Sequence, residues 1–224
     1  AIAELRQDLG RQVAARYGIL KTYSNHEEML ASEKLDAIVA PQPFARHGLL
    51  LPELFKAGIP ILSEKPLAGS VQVGEEILRA FHASKTKYYI AYHKRSDPAT
   101  IYVKAEIERL QQTGELGKLK YIRIMMPSGD WGANGSTGVI DGGPMPDLPV
   151  DPAPPDMDAK TFEDYTFFVN CYIHQVNLLG HLFGENYTVT YADPSGVMLA
   201  VQSKSGIAGT IEMAPYVTFK DWQE

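Results

Sequence analysis

Short apolar runs alternate with amphipathic stretches along the first 96 residues. The apolar runs are bounded by glycine or proline, a pattern typical of buried strands, whereas the stretches between them repeat apolar positions at helical spacing. Strands are predicted at 1–4, 35–40, 59–62 and 88–92, and helices at 8–17, 24–31, 47–56 and 71–84. Such alternation predicts βαβ units and a parallel sheet.

A different pattern begins after residue 96. Asp97-Pro98 is typical of a helix start, because an N-cap aspartate is followed by proline at the first helical position. Two helices, at 98–112 and 167–183, and four strands, at 119–126, 187–192, 197–202 and 206–213, are predicted from here on. Consecutive strands joined by a short turn indicate antiparallel pairing. We therefore predict an α/β, Rossmann-like domain with a parallel sheet at 1–96 and an α+β substrate and oligomerisation domain with a mostly antiparallel sheet at 97–224.

The segment 127–161 contains no predicted element and is rich in proline, glycine and aspartate. A structureless stretch this long inside a domain is usually functional or mobile. We expect this segment, with Asp130 and Trp131, to decide which substrate binds.

Composition narrows the class of protein. The chain has 224 residues, of which 45% are hydrophobic and 21% charged, as in ordinary globular proteins. A formal net charge of −6 argues against nucleic acid or an anionic membrane as the main partner. The single cysteine, Cys171, excludes an internal disulfide and fits a reducing, cytoplasmic location. No apolar run approaches the roughly 20 residues that span a bilayer, and no histidines are paired at metal-ligand spacing, so no metal site is predicted.

Polar or proline-rich residues follow each predicted strand of the first domain. In open α/β sheets the ligand crevice lies beyond the carboxyl ends of the strands, so these residues predict a ligand site at one sheet edge. They are Glu4 to Arg6, Pro41 to Pro43, Glu64-Lys65 and His93 to Arg95. For His93 and Arg95, binding of an anionic cofactor or substrate and simple solvation both remain open.

The cofactor choice depends on the first of these junctions. An acid in the position of Glu4 would accept hydrogen bonds from the adenosine ribose, whereas Arg6 could contact a 2′-phosphate, so both NAD and NADP are compatible with the sequence. The glycine fingerprint G-x-G-x-x-G is absent from the chain. Because the chain starts at Ala1 in what resembles a strand end, we expect residues to be missing upstream.

The predicted helix at 167–183 carries a polar stripe. Asn170 and His174 are four residues apart and Asn177 follows three later, so the three side chains share one face. A histidine flanked in this way fits a catalytic role as well as a structural one. The opposite face is apolar and is predicted to be core: Cys171, Leu178, Leu179 and Leu182.

These segments together resemble the Gfo/Idh/MocA oxidoreductase family, the relatives of glucose–fructose oxidoreductase and inositol dehydrogenase. The resemblance implies a nicotinamide-binding Rossmann domain and an α+β domain whose open sheet often forms the interface of a homo-oligomer. It also implies hydride transfer between NAD(P) and a carbon of a sugar, cyclitol or related polyol. The matching segments are Leu35–Pro43 with His47, Gly58–Pro66, Tyr92–Pro98 and His174–Leu179.

The resemblance also implies roles for individual residues. Lys65 would hydrogen-bond the reacting hydroxyl near the nicotinamide, and His174 would be the general acid/base. Glu64 would position cofactor and lysine, and Glu4 would bind the ribose. The remaining residues are cofactor-lining or supporting ones: Arg6, Pro41, Gln42, Pro43 and His47 for the dinucleotide, and Asn170, Asn177, His93 and Arg95 for the substrate.

The chain departs from the family pattern in three places. Asn170 stands where the family usually has an aspartate, the glycine loop and first strand would lie upstream of Ala1, and the chain ends at Glu224 before the family's final strands. We therefore expect a chain truncated at both ends. The first two departures keep an alternative open, a non-catalytic ligand-binding or scaffold protein with the same fold. A third possibility is elimination or glycoside cleavage through transient oxidation.

Overall fold

The computed structural model describes residues 1–126 and 140–213, so Asp130 and Trp131 lie outside the described residues. By their contacts, the described residues form two compact units, 1–91 with 140–166 and 92–126 with 167–213. The predicted domains 1–96 and 97–224 stay a prediction, while contacts group residues 140–166 with the first unit.

All strands of the first unit pair in parallel. β1 (Ile2–Ala3) pairs with β2 (Thr22–Tyr23), and β3 (Ile38–Ala40), β4 (Ile61–Ser63) and β5 (Tyr88–Ile90) form a second sheet with β4 in the middle. The predicted Rossmann-like parallel sheet is thus confirmed. The predicted strand at 59–62 begins only at Ile61, because Pro60 has no N–H to donate to the ladder.

Four helices connect these strands: α1 (Gln7–Tyr17), α2 (His26–Ser32), α3 (His47–Phe55) and α4 (Val71–His82). α1 ends at Gly18, whose φ of 66° places it in the left-handed region that favours glycine after a helix. α2 is capped by Asn25, which accepts the N–H of Glu28, so the helix predicted at 24–31 begins at His26 instead.

The three-stranded sheet is covered on one face. Ile38, Ala40 and Ile61 are buried together with apolar residues of α3 and α4. The alternate positions of the strands point to the opposite face, where Val39, Leu62 and Tyr89 remain 70%, 39% and 58% exposed. Parallel sheets are normally covered on both faces. This face, in contrast, is an exposed apolar surface in the structure.

The second unit is an α+β arrangement. It contains α5 (Pro98–Thr113), β6 (Tyr121–Met125), most of α6 (Ala159–Phe183), β7 (Tyr187–Ala192), β8 (Met198–Ser203) and β9 (Ala208–Glu212). The sheet order is β6-β9-β8-β7, with β7, β8 and β9 antiparallel and β6 parallel to β9. The mostly antiparallel sheet is therefore confirmed.

Two helix starts show how caps decide boundaries. The Asp97 side chain accepts the N–H groups of Ala99 and Thr100, as the sequence predicted. α6 begins at Ala159 rather than at the predicted 167, because Asp158 accepts the N–H of Thr161 at 2.7 Å and starts the helix earlier.

α6 packs its apolar stripe on the sheet. Leu178, Leu179 and Leu182 are buried, and Cys171 packs against the same core half-buried, as predicted. Gln175 is also fully buried and contacts the sulfur of Met126, although a polar residue at this position was not predicted to be core. None of the described helices is long and apolar enough to cross a membrane.

Candidate functional site

The carboxyl ends of β3 and β4 bring two predicted loops to one edge of the sheet. Pro41 to Pro43 directly follow β3, and Glu64-Lys65 directly follow β4. The N–H of Glu64 donates to the carbonyl of Ala40 at 3.3 Å, which continues the strand pairing into the loop. The backbone N–H of Lys65 donates to the Glu64 carboxylate at 3.1 Å, and the Lys65-Pro66 peptide bond is cis.

A buried hydroxyl pair supports the loop that carries Lys65. Ser63 is only 2% exposed, and its hydroxyl donates to the carbonyl of Glu64 at 3.0 Å. The same hydroxyl lies 2.7 Å from that of Tyr88 on β5. Sequence analysis missed both residues. The only signal was a serine at the end of one apolar run and a tyrosine at the start of the next, which pair with Ile90 and Ile61 respectively.

His47 is fully buried at the first position of α3. Its Nδ1 lies 3.1 Å from the carbonyl oxygen of Leu67 and its Nε2 lies 3.2 Å from that of Gln42. Both ring nitrogens therefore face backbone of the two loops at the sheet edge, and the side chain supports those loops.

Glu4 and Arg6 form an ion pair at the carboxyl end of β1. The backbone N–H and the Nε of Arg6 both lie 3.0 Å from one carboxylate oxygen of Glu4. Burial acts to raise the pKa of Glu4, but the hydrogen bonds and charge of Arg6 outweigh it and hold that pKa below its ordinary value. Arg6 also reaches the carbonyl of Gly143 at 3.3 Å. The Glu4 carboxylate is therefore an ionised hydrogen-bond acceptor, and the neighbouring Arg6 guanidinium is already hydrogen-bonded.

His93 and Arg95 contact the polar residues of α6 in the second unit. The rings of His93 and His174 have centroids 4.3 Å apart and are inclined by 63°. Tyr92 stands edge-on to His174, with centroids 6.5 Å apart. Arg95 donates from Nε to the side-chain oxygen of Asn177 at 2.7 Å. Asn170 lies one helical turn before His174, on an exposed part of the helix.

A cleft of about 570 Å³ lies beside this cluster within the second unit. Its volume is in the range of small-molecule sites. Burial raises the pKa of Tyr92, and it raises the pKa of Tyr187 to about 12, so both phenols are neutral at physiological pH. Neither tyrosine was predicted. The polar residues that line the cleft are Tyr92, Arg95, Asn177, Glu185, Asn186 and Tyr187.

Among the described residues, one group of side chains has metal-ligating chemistry: His26, Glu27 and Glu53. Nδ1 of His26 lies 3.3 Å from Glu27, and Nε2 lies 3.2 Å from Glu53. Because the two carboxylates meet opposite nitrogens of the ring, this is the geometry of a histidine between two acids rather than of three ligands on one ion.

The residues present fit parts of a nicotinamide dinucleotide. Glu4 is an ionised acceptor at a strand end, as a ribose requires, and Lys65 lies at the carboxyl end of the central strand. A glycine-rich phosphate cradle is absent from the sequence. The chemistry of Glu4 and Lys65 would therefore suit the ribose and the reacting end of such a cofactor.

Comparison with known proteins agrees with this description. A family model described as oxidoreductase family, NAD-binding Rossmann fold (Gfo/Idh/MocA) matches residues 1–92. The myo-inositol 2-dehydrogenase of Thermotoga maritima is 22% identical over 217 residues, which are 97% of this chain and 56% of that protein. The scyllo-inositol 2-dehydrogenase (NAD(+)) of Bacillus subtilis is 24% identical over 215 residues, 90% of this chain and 55% of that protein.

Solved structures share the fold at low identity. A probable dehydrogenase from Thermotoga maritima superposes with a TM-score of 0.67 at 16% identity, covering 99% of this chain and 62% of that one. The WlbA dehydrogenase from Bordetella pertussis, solved with NADH and UDP-GlcNAcA, gives 0.64 at 18% identity, covering 95% and 61%. This chain thus spans little more than half the length of these curated relatives.

The parallel sheets and the polar edge define a Rossmann-type fold, in agreement with the family model that matches residues 1–92. More narrowly, residues 1–92 match the model of the Gfo/Idh/MocA oxidoreductase family, which supports the resemblance seen in the sequence.

Proposed function

We propose that the protein carrying this chain is an NAD(P)-dependent oxidoreductase that transfers a hydride between the nicotinamide and a hydroxyl-bearing carbon of a sugar, cyclitol or related polyol. The observation that carries the proposal is the Glu64-Lys65 pair at the carboxyl end of the central strand β4. Relatives named as inositol dehydrogenases support a polyol substrate.

The first unit would bind the cofactor and polarise the substrate hydroxyl. Bound NAD(P) would supply the hydride acceptor for oxidation. The Lys65 ammonium would donate a hydrogen bond to the substrate hydroxyl and stabilise the negative charge that develops on its oxygen. Glu64, through its contact with the Lys65 backbone, would hold the lysine in place. Glu4 would accept hydrogen bonds from the ribose.

The second unit would move the proton. His174 would take the hydroxyl proton as the hydride leaves, and would return it in the reverse direction. His93 and Tyr92 pack on its ring and would limit its orientation. Asn170 can hydrogen-bond but cannot lend the negative charge of the aspartate usual in the family.

The ion pair of Glu4 and Arg6 supports NAD over NADP in this proposal. Arg6 is already hydrogen-bonded to Glu4 and to the Gly143 carbonyl, and the ionised carboxylate would repel a 2′-phosphate. The test is the ratio of dissociation constants for NADH and NADPH. Tighter binding of NADPH would contradict this choice.

Catalysis is tested by Lys65→Met and His174→Ala, assayed by absorbance of NADH with a panel of inositols and aldoses. We expect kcat to fall by about 10²–10⁴-fold in each variant. Lys56→Met, just after α3, and His82→Ala, at the end of α4, change exposed residues and are matched controls that should keep full activity. Full activity in both site variants would sink the assignment.

A second candidate, a non-catalytic ligand-binding or scaffold protein, is favoured by Asn170, which stands where the family usually has an aspartate. Thermal unfolding with and without NADH separates the two, since a ligand that binds the native state raises the melting temperature. Absence of any stabilisation by NADH would favour this candidate, whereas stabilisation is expected of the oxidoreductase. Product analysis with glycosides would test the third possibility, elimination or glycoside cleavage.

The proposal includes a homo-oligomer formed through the sheet of the second unit. The face opposite α6 carries exposed Tyr121 and Met125 beside an ion pair of Arg123 and Glu212, whose atoms lie 2.6 Å apart. Sedimentation of Met125→Glu against the unaltered protein would test it, and an unchanged oligomeric state would reject this surface. A cytoplasmic location stays a prediction.

A further inference from the structure

The side chain of Tyr88 reaches from β5 to the end of β4. In the pairing of these two parallel strands Tyr88 lies beside Ile61, and Ser63 lies two residues further along, beside Ile90. Residues two apart on a strand point to the same face, so Tyr88 and Ser63 share the face that α3 and α4 cover. The Tyr88 hydroxyl thereby comes within 2.7 Å of the Oγ of Ser63.

The ring of Tyr88 is held by two aromatic neighbours. Phe55 of α3 and Phe81 of α4 have ring centroids 5.1 and 6.0 Å from that of Tyr88, and the Phe55 ring meets it edge-on at 72°. Aromatic rings at such distances and inclinations attract each other. Phe55 is itself buried in the core of the first unit. The Tyr88 hydroxyl is therefore presented to Ser63 by a side chain that is anchored in the core.

Ser63 transmits this support to the peptide unit that joins Glu64 to Lys65. A serine hydroxyl has a single hydrogen, and the Glu64 carbonyl, 3.0 Å from the Oγ of Ser63, only accepts. Both contacts of Ser63 are hydrogen bonds when Tyr88 donates to Ser63 and Ser63 donates to Glu64. The N–H of the same peptide unit, that of Lys65, donates to the Glu64 carboxylate at 3.1 Å. Both polar groups of the peptide unit before Lys65 are therefore fixed.

We propose that Tyr88 and Ser63 are positioning residues, which fix the peptide unit before Lys65 and thereby aim the lysine side chain at the reacting hydroxyl. The inference rests on the proposed function, in which the Lys65 ammonium hydrogen-bonds that hydroxyl. Tyr88 and Ser63 themselves touch neither the substrate nor the dinucleotide in this proposal. Because the ammonium ends a long side chain, a small rotation of the peptide unit displaces it, and misplacement of a catalytic group lowers the rate.

The order of this peptide unit is measured without cofactor, by hydrogen exchange of the Lys65 amide followed by NMR. We expect about fivefold faster exchange in Tyr88→Phe and in Ser63→Ala, since each removes one hydrogen bond of the series. Tyr89→Phe is the matched control, because it removes a hydroxyl from the next residue of β5, which is 58% exposed on the opposite face. The reference is the Ile61 amide, hydrogen-bonded at 2.9 Å to the chain just before β5. Unchanged exchange at Lys65, or an equal acceleration at Ile61, would overturn the positioning role.

The catalytic consequence is measured by steady-state kinetics on the same proteins. We expect kcat to fall about tenfold in Tyr88→Phe and in Ser63→Ala, with the KM for NAD changed less than about twofold and no change in Tyr89→Phe. In a Lys65→Met background, Tyr88→Phe should lower kcat no further, because the pair acts through the lysine.

Unchanged kcat in both variants, or a further tenfold loss in the Lys65→Met background, would overturn the inference. If the unaltered protein oxidises no polyol, the proposed function fails, while the exchange of the Lys65 amide still decides whether the hydroxyl pair fixes the peptide unit. Should Ser63→Ala not fold, Tyr88→Phe decides alone, since it keeps the ring in its aromatic contacts.

Discussion

Replacing Gly48 with alanine would test how closely Asp151 is seated on α3. A Cβ at this position would lie 2.6 Å from Cγ1 of Val73 and 2.7 Å from Oδ1 of Asp151, shorter than ordinary contacts. The carboxylate cannot move away without losing the 2.9 Å hydrogen bond from the Gly48 N–H. Either the cap breaks or the helix shifts away from α4.

The magnitude follows from three opposing effects. Alanine in place of glycine inside a helix ordinarily stabilises by about 1 kcal/mol. Overpacking of a tight contact costs about 1–3 kcal/mol, and loss of a helix cap costs about 0.5–2 kcal/mol. The unfavourable terms win, and we expect Gly48→Ala to lower the free energy of unfolding by about 2 kcal/mol.

Urea unfolding followed by circular dichroism measures this loss. Gly74→Ala on α4 is the control, because its Cβ would meet Leu67 and Ala68 only at 3.8 and 3.9 Å. There the helical preference acts alone, and a gain of about 0.4–1 kcal/mol is expected. If Gly48→Ala proved as stable as Gly74→Ala, the close seating of Asp151 would be refuted.

Other predictions follow from the ion pairs and polar contacts described above. Glu4 has a folded-state pKa below its ordinary value, so its contribution to stability is complete above the unfolded pKa and is lost as the pH falls through the folded one. Glu4→Gln should therefore flatten the loss of stability in thermal unfolding as the pH falls below the ordinary pKa of glutamate. Tyr187 donates to the carbonyl of Val176 at 2.8 Å, and its raised pKa of about 12 predicts that stability falls as the pH rises from about 10 towards 12; Tyr187→Phe should remove this alkaline loss and cost about 1 kcal/mol at neutral pH. Asn170→Asp places beside His174 the acid that is usual in the family, so the acidic limb of the pH–rate profile should shift to higher pH. An unchanged profile would show that residue 170 does not influence the proton transfer.

Features set by neighbours in sequence were predictable. Asp97-Pro98 predicted the start of α5 because the cap and the helix it caps are adjacent, and the helix predicted at 8–17 ends where α1 does, before Gly18. The positions of Lys65 and of the His174 stripe also follow from local periodicity. Pairing of Arg95 with Asn177 was not predicted, but both residues were candidates on their own elements.

Contacts between distant segments were not predictable from pattern. Asp151 caps α3 although it lies in a proline-rich stretch with no periodicity to place it. The hydroxyl pair of Ser63 and Tyr88 depends on the register of β4 against β5, which single residues do not reveal. The burial of His47 could not be predicted either, because it depends on two loops, distant from each other in sequence, that surround its ring.

The exposed side chains of Val39, Leu62 and Tyr89 affect how readily the strands β3 to β5 open locally to solvent. β3, β4 and β5 are three residues long each and have one exposed apolar face, so they protect few backbone amides from exchange. The strands β6 to β9 are longer and pack on α6. Backbone amides of β3 to β5 should therefore exchange with solvent faster than those of the second unit. Since exchange reports local opening, we expect the sheet of β3 to β5, which carries the loops proposed to hold the cofactor, to be less stable than the sheet of the second unit. A bound ligand would be seen first as slower exchange in those strands.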